Sequence, residues 1–134
     1  LNAQTGQVEW TFPLRAEGLG RPTVSGDLVY FLAANNTLYA LRTTTGEQVW
    51  IYNRPETTSL SVRGGAEPVV SGNTLYVGFS DGAFLALDKN RGSLLWERQL
   101  GTAPRFKDID SKAVLDGDRL YVSSYDGQLY SLST

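Results

Sequence analysis

No cysteine and no histidine occur anywhere in the 134 residues. Their absence removes disulfides, thiol nucleophiles, Cys/His zinc centres and imidazole general bases together. A serine triad goes with them, because no histidine exists to act as its base. The lack of cysteine fits a reducing or an oxidising compartment equally and does not locate the chain. Charge is scant too: 12 Lys and Arg stand against 14 Asp and Glu, with no basic run. A chain of net charge −2 with that distribution is a poor partner for nucleic acid. No apolar stretch is long enough to span a bilayer, and Gly64-Gly65 lacks the Lys-Ser/Thr that a phosphate-cradling loop needs. No secretory leader is read at the start, which is Leu1 rather than Met, so the chain is expected to be a piece of something longer.

What is present is a core and a repeat. Hydrophobic residues make up 41% of the chain, which argues against disorder. Three phrases, LNAQTGQVEW, LRTTTGEQVW and LDKNRGSLLW, each end on a tryptophan four residues after a glycine: Gly6 and Trp10, Gly46 and Trp50, Gly92 and Trp96. A period near 45 residues with this signature predicts propeller blades. The segments 21–50, 67–96 and 112–134 align, each as short runs rich in Val, Leu, Tyr and Phe separated by turn residues. Asp81-Gly82 and Asp126-Gly127 are hairpin signals, and Asn35-Asn36 holds the same place in the first copy. An asparagine there also tolerates positive φ.

The expected fold is therefore all-β, a partial β-propeller of about three four-stranded antiparallel blades. Residues 1–14 supply an outer strand of a first blade, 21–54 and 66–99 are full blades, and 112–134 are three strands of a last one. The indoles are read first as packing over a neighbouring turn or sheet, and second as cofactor platforms. Sheet edges left open at both ends are expected to be sticky. Residues 7–13 of one copy could then complete the sheet 112–133 of another, two chains making six blades.

Blade length is constant while one connection varies. Pro22 to Trp50 and Pro68 to Trp96 are both 28 positions, whereas Trp10 to Pro22 is 12, Trp50 to Pro68 is 18 and Trp96 to Ala113 is 17. The two long loops, 53–67 and 100–112, fall on one face, and insertions in repeat proteins collect on the binding face. Arg63 and Asp108 lie one repeat apart. Leu60, Val62, Phe106 and Ile109 add apolar side chains to loops that should otherwise be polar. The alternative stays open at this point: Arg63 as a structural arginine, Asp108 and Asp110 as turn formers, Leu60 and Val62 as inward anchors.

The phrase Ala40-Leu41 to Thr45-Gly46 to Trp50 resembles the repeats of pyrroloquinoline-quinone enzyme propellers. More specifically, 60–96, beginning Leu60-Ser61-Val62-Arg63-Gly64, and 108–132, beginning Asp108-Ile109-Asp110, are similar to the BamB family of outer-membrane assembly lipoproteins. Val62, Gly65, Ala113 and Asp116 depart from that family's usual residues. The resemblance implies an eight-bladed, non-catalytic scaffold at the periplasmic face of the bacterial outer membrane. It implies a partner, a POTRA domain of BamA, and the contact residues Leu60, Val62, Arg63, Asp108 and Asp110. It implies no cofactor and no metal, and membrane attachment only through a lipid-bearing cysteine that this chain does not contain. Whether nascent outer-membrane proteins also bind, by adding a strand to an open edge, is left open.

Two other classes compete. A fragment of a quinone-dependent dehydrogenase needs carboxylate and amide metal ligands, and Asp108 with Asp110 is too small a set. A generic ligand- or protein-binding propeller shares the fold, and repeats alone do not separate it from the scaffold.

Overall fold

A computed structural model of the chain describes residues 1–55 and 65–134. Its regular structure is entirely strand, in three antiparallel sheets. The first holds β1 (Thr23–Ser25), β2 (Leu28–Leu32), β3 (Thr37–Arg42) and β4 (Gln48–Asn53), in that order. The second repeats it with β5 (Val69–Ser71), β6 (Thr74–Gly78), β7 (Ala83–Asp88) and β8 (Leu94–Gln99). The third has β9 (Val114–Asp116), β10 (Arg119–Ser123) and β11 (Leu129–Ser133), with β11 at an edge. No helix among the described residues is long and apolar enough to cross a membrane.

The turn chemistry forces this plan. Gly26, Gly72 and Gly117 adopt positive φ between the first two strands of each sheet, and Asn36, Gly82 and Gly127 do so between the second and third. Asn36, at φ 59°, takes the place of a glycine because its short polar side chain tolerates the left-handed region. Between the third and fourth strands the register slips at the same place in both complete sheets. Ala40 faces Trp50 but Leu41 faces Gln48, and Ala86 faces Trp96 but Leu87 faces Leu94. Each slip leaves one residue unopposed, Val49 and Leu95, as a bulge that sharpens the local twist.

The sheets pack face to face. Leu28, Tyr30, Leu32, Leu38, Ala40 and Trp50 of the first meet Leu75, Val77, Ala83, Leu85 and Leu87 of the second. The opposite face of the second sheet, with Tyr76, Phe84 and Ala86, meets Leu120 and Val122 of the third. Trp10, Phe12 and Leu14 cover the outer face of the first sheet, against Val29, Phe31, Tyr39 and Leu41.

Two of the three tryptophans, Trp10 and Trp50, pack over turns. The Trp10 indole N–H donates to the Thr43 carbonyl (2.8 Å), and Trp50 donates to that of Lys89 (2.9 Å). Beneath each ring lies a left-handed glycine, Gly46 or Gly92, where a Cβ would come within 2.6 Å of the indole. The glycine and the tryptophan of successive phrases are thus two halves of one joint.

One expectation needs correction. Residues 7–13, expected as an outer strand, lie outside any sheet. A strand exists only by pairing its backbone groups with a neighbour, and this segment pairs with no strand of the described chain.

Candidate functional site

Both long loops are anchored against the second sheet. Where β4 ends, the Arg54 guanidinium spans to the second sheet, donating from Nε to Asp81 (2.6 Å) and from Nη2 to Glu97 (2.8 Å). It also lies over the Phe79 ring at 5.8 Å. Burial works against the charge here, but the hydrogen bonds that the guanidinium donates to Glu97 and Asp81 outweigh it and raise its pKa above the ordinary value. Where the first loop re-enters the described chain, Gly65 crosses Gly20 so closely that a Cβ on Gly65 would lie 2.3 Å from the Gly20 nitrogen. Ala66 is buried just beyond.

The second loop is pinned along its length. Its root lies on the β6–β7 turn, with the amides of Leu100 and Gly101 both donating to the Gly82 carbonyl (2.9 and 3.1 Å). The chain then doubles back until Lys107 stands over Gly101, where a Cβ would meet the Lys107 carbonyl oxygen at 2.1 Å. Ile109 donates its amide to the Phe79 carbonyl (3.1 Å) and sets its side chain into the space above Gly78. Ser111 accepts from the Ser123 amide and donates to the Ser123 carbonyl, through one hydroxyl.

The roots of the two loops are joined. Lys112 pairs with Glu67, and the two residues are 45 positions apart. Thr23 donates to the Pro68 carbonyl (2.6 Å) across the preceding blade boundary. Of the residues expected at the site, Leu60, Val62 and Arg63 lie outside the described residues. Asp108 is 1% exposed and engaged from within: its carbonyl accepts from the Tyr125 amide (2.9 Å) and, at longer range, from the Ser124 hydroxyl (3.4 Å). Asp110 is half-buried at the surface of the same turn.

Ile109 is a correction. It was expected to present an apolar side chain on the face, and it is 1% exposed, deep in the core between the second and third sheets. The physical reason is Gly78, which leaves a hole that only the loop can fill.

Phe106, by contrast, is 41% exposed at φ 53°, a conformation that costs a bulky residue about 1 kcal/mol or more. Its ring meets Tyr125, 54% exposed, at a centroid distance of 6.1 Å. The sequence reading missed Tyr125. The available signal was its place in the turn, where the other two blades have Ala34 and Ser80. Among the described residues no group of three Asp or Glu is arranged to hold a metal ion.

Blades of this construction define the quinoprotein type of β-propeller. The chain superposes on a europium-containing methanol dehydrogenase with a TM-score of 0.76 over 95% of its length and 25% of that chain, at 20% identity. That likeness is one of fold alone. A much closer match is the crystal structure of BamB from Moraxella catarrhalis, with a TM-score of 0.92 and 32% identity, covering 99% of this chain and 42% of that one. The sequence profile described as "Outer membrane protein assembly factor BamB" matches residues 1–134. Among curated relatives, the proteins of that description from Shewanella oneidensis and Yersinia pestis are 31% and 33% identical over 98% of this chain. The chain belongs to the BamB family, and it spans 35% of the length of those two relatives.

Proposed function

We propose that the chain is part of a non-catalytic scaffold of the machinery that assembles β-barrel proteins in the outer membrane, working at the periplasmic face. It binds a POTRA domain of BamA through the two long loops, with Leu60, Val62, Arg63, Asp108 and Asp110 as the contact set. Membrane attachment comes from a lipid anchor outside this chain. The observation that supports this reading is the pairing of Glu67 with Lys112, which ties the root of the first long loop to that of the second. Asp108 serves the contact from beneath, as the internal brace of its turn. Phe106 and Tyr125 extend the same turn with exposed aromatic surface, the residue type that anchors protein interfaces.

Calorimetric titration with the POTRA region of a cognate BamA tests the reading. Arg63→Glu and Asp110→Arg are expected to weaken binding by about 2–5 kcal/mol while leaving the fold intact. Asp108→Arg is a poor probe, because it would bury a new cation and disrupt the turn itself. Binding like that of the wild type in both folded variants would overturn the assignment of the site.

A further inference from the structure

The two blade boundaries place one large side chain and one glycine in opposite order. At the first, the strand carries Leu32 and the loop sequence has Gly64, one repeat before Ile109. At the second, the strand carries Gly78 and the loop has Ile109. Blade packing does not require this exchange, since Leu32 fills the equivalent space from within its own strand. Filling it from the loop does what a strand residue cannot: it fixes the loop.

The peptide group between Asp108 and Ile109 is bonded at both ends. Its carbonyl accepts from the Tyr125 amide in the third sheet's hairpin (2.9 Å), and its N–H donates to the Phe79 carbonyl in the second sheet's (3.1 Å). That peptide plane is therefore held between two blades. The Ile109 side chain, buried above Gly78, then fixes which way the chain on either side of it faces. Two residues on, the Ser111 hydroxyl engages both backbone groups of Ser123 (2.9 and 3.1 Å). Two residues before, Lys107 lies against Gly101. Next to it Phe106 keeps φ 53°, a conformation that persists only where the surroundings over-determine it. Asp108 and Asp110 are the two residues that flank the plug.

We propose that Ile109 is a positioning residue: it sets Asp108 and Asp110 in the geometry that they present to a partner, without meeting the partner itself. This rests on the reading of the long loops as a BamA contact. A turn plugged into the core loses its conformational freedom on folding, so no ordering cost falls on the binding step. The exchange of Leu32 and Gly64 for Gly78 and Ile109 is then a device for recognition, placed where packing alone had a simpler solution.

Three variants separate positioning from stability: Ile109→Ala, Ile109→Val, and Gly78→Leu combined with Ile109→Ala. Each is titrated by calorimetry with the POTRA region of a cognate BamA, alongside denaturant unfolding. Ile109→Ala is expected to bind about tenfold more weakly than the wild type, although every side chain proposed to face the partner is unchanged. Ile109→Val keeps a side chain in the hole and is expected to stay within about twofold of the wild type. The double variant refills the hole from the strand. It is expected to be more stable than Ile109→Ala and yet to bind as weakly. Hydrogen exchange at the amides of positions 109 and 125 reads the same turn with no partner present. Those amides are expected to be protected in the wild type and Ile109→Val, and unprotected in the other two. A wild type that does not bind removes the BamA reading, and loss of protection in the double variant still supports a turn held by Ile109. Should Ile109→Ala fail to fold, the double variant and Ile109→Val decide. A folded Ile109→Ala that binds like the wild type overturns the proposal. So does a double variant that regains affinity or protection together with its stability, which would leave Ile109 a packing residue only.

Discussion

The two boundaries between blades solve one packing problem in different ways. At the first, Leu32 at the end of β2 reaches across to the second sheet and is 3% exposed. At the second, the equivalent position is Gly78, and the missing volume comes from Ile109 on the loop. The first boundary gains a charged clamp, Arg54 to Asp81 and Glu97. The second has a loop threaded into its core. In the first boundary, then, a strand of the blade supplies the side chain that fills the space. In the second, loop shape and blade packing are the same interaction.

The largest effect is expected from forcing the second boundary to resemble the first. Gly78→Leu would drive its side chain into the backbone and side chain of Ile109, where even a Cβ comes within 2.3 Å. Overpacking of this kind is expected to cost about 3 kcal/mol and to expel the loop, read by denaturant unfolding. Ile109→Ala should cost about 2–4 kcal/mol by opening a cavity at the same spot. The double variant should cost clearly less than the sum of the two, because the new leucine fills what the isoleucine leaves. Strict additivity would mean that the two positions are not alternatives for one space.

The first boundary is tested by Arg54→Ala. Asp81 is 6% exposed, and losing its cation leaves a buried carboxylate uncompensated, at a cost of about 2 kcal/mol. Arg54→Lys should recover only part of this, since an ammonium cannot reproduce the fork that spans both acids.

A smaller effect separates the boundaries by pH. Tyr30 is fully buried, and its hydroxyl donates to the Lys89 carbonyl at 3.1 Å. Burial first, and the nearby Asp88 carboxylate second, push its pKa up to about 12. Because the folded value lies above the unfolded one, the stabilisation is complete below about pH 10 and is lost as pH rises towards 12. Tyr30→Phe should flatten that alkaline slope relative to wild type, at a cost of about 1 kcal/mol at neutral pH. An unchanged slope would locate the alkaline sensitivity elsewhere.

Much of this was legible in sequence, for reasons that differ by element. The blade plan was readable because Asp-Gly and Asn-Asn mark turns that only a few residues can make, and because glycine and tryptophan recur at fixed spacing. The variable connections were readable from their lengths alone. The burial of Ile109 was not, since its partner Gly78 lies in another blade and a loop isoleucine has no local signal of direction. The clue was indirect: a glycine at the end of β6 where β2 has a leucine. Residues 7–13 have the alternation of a strand, but alternation describes faces and does not supply a neighbour to pair with.

Gly20 and Gly65 have a consequence for the first long loop. The first loop leaves the fold at a doubly bonded guanidinium and returns at a crossing where two backbones nearly touch. Both ends of the first long loop are thus fixed by the described chain itself, and the chain entropy of bringing those ends together is lost on folding. Filling the crossing, by Gly20→Val for instance, would push the two backbones apart and release one of those ends. Where that loop begins and ends is therefore decided in part by two residues without side chains.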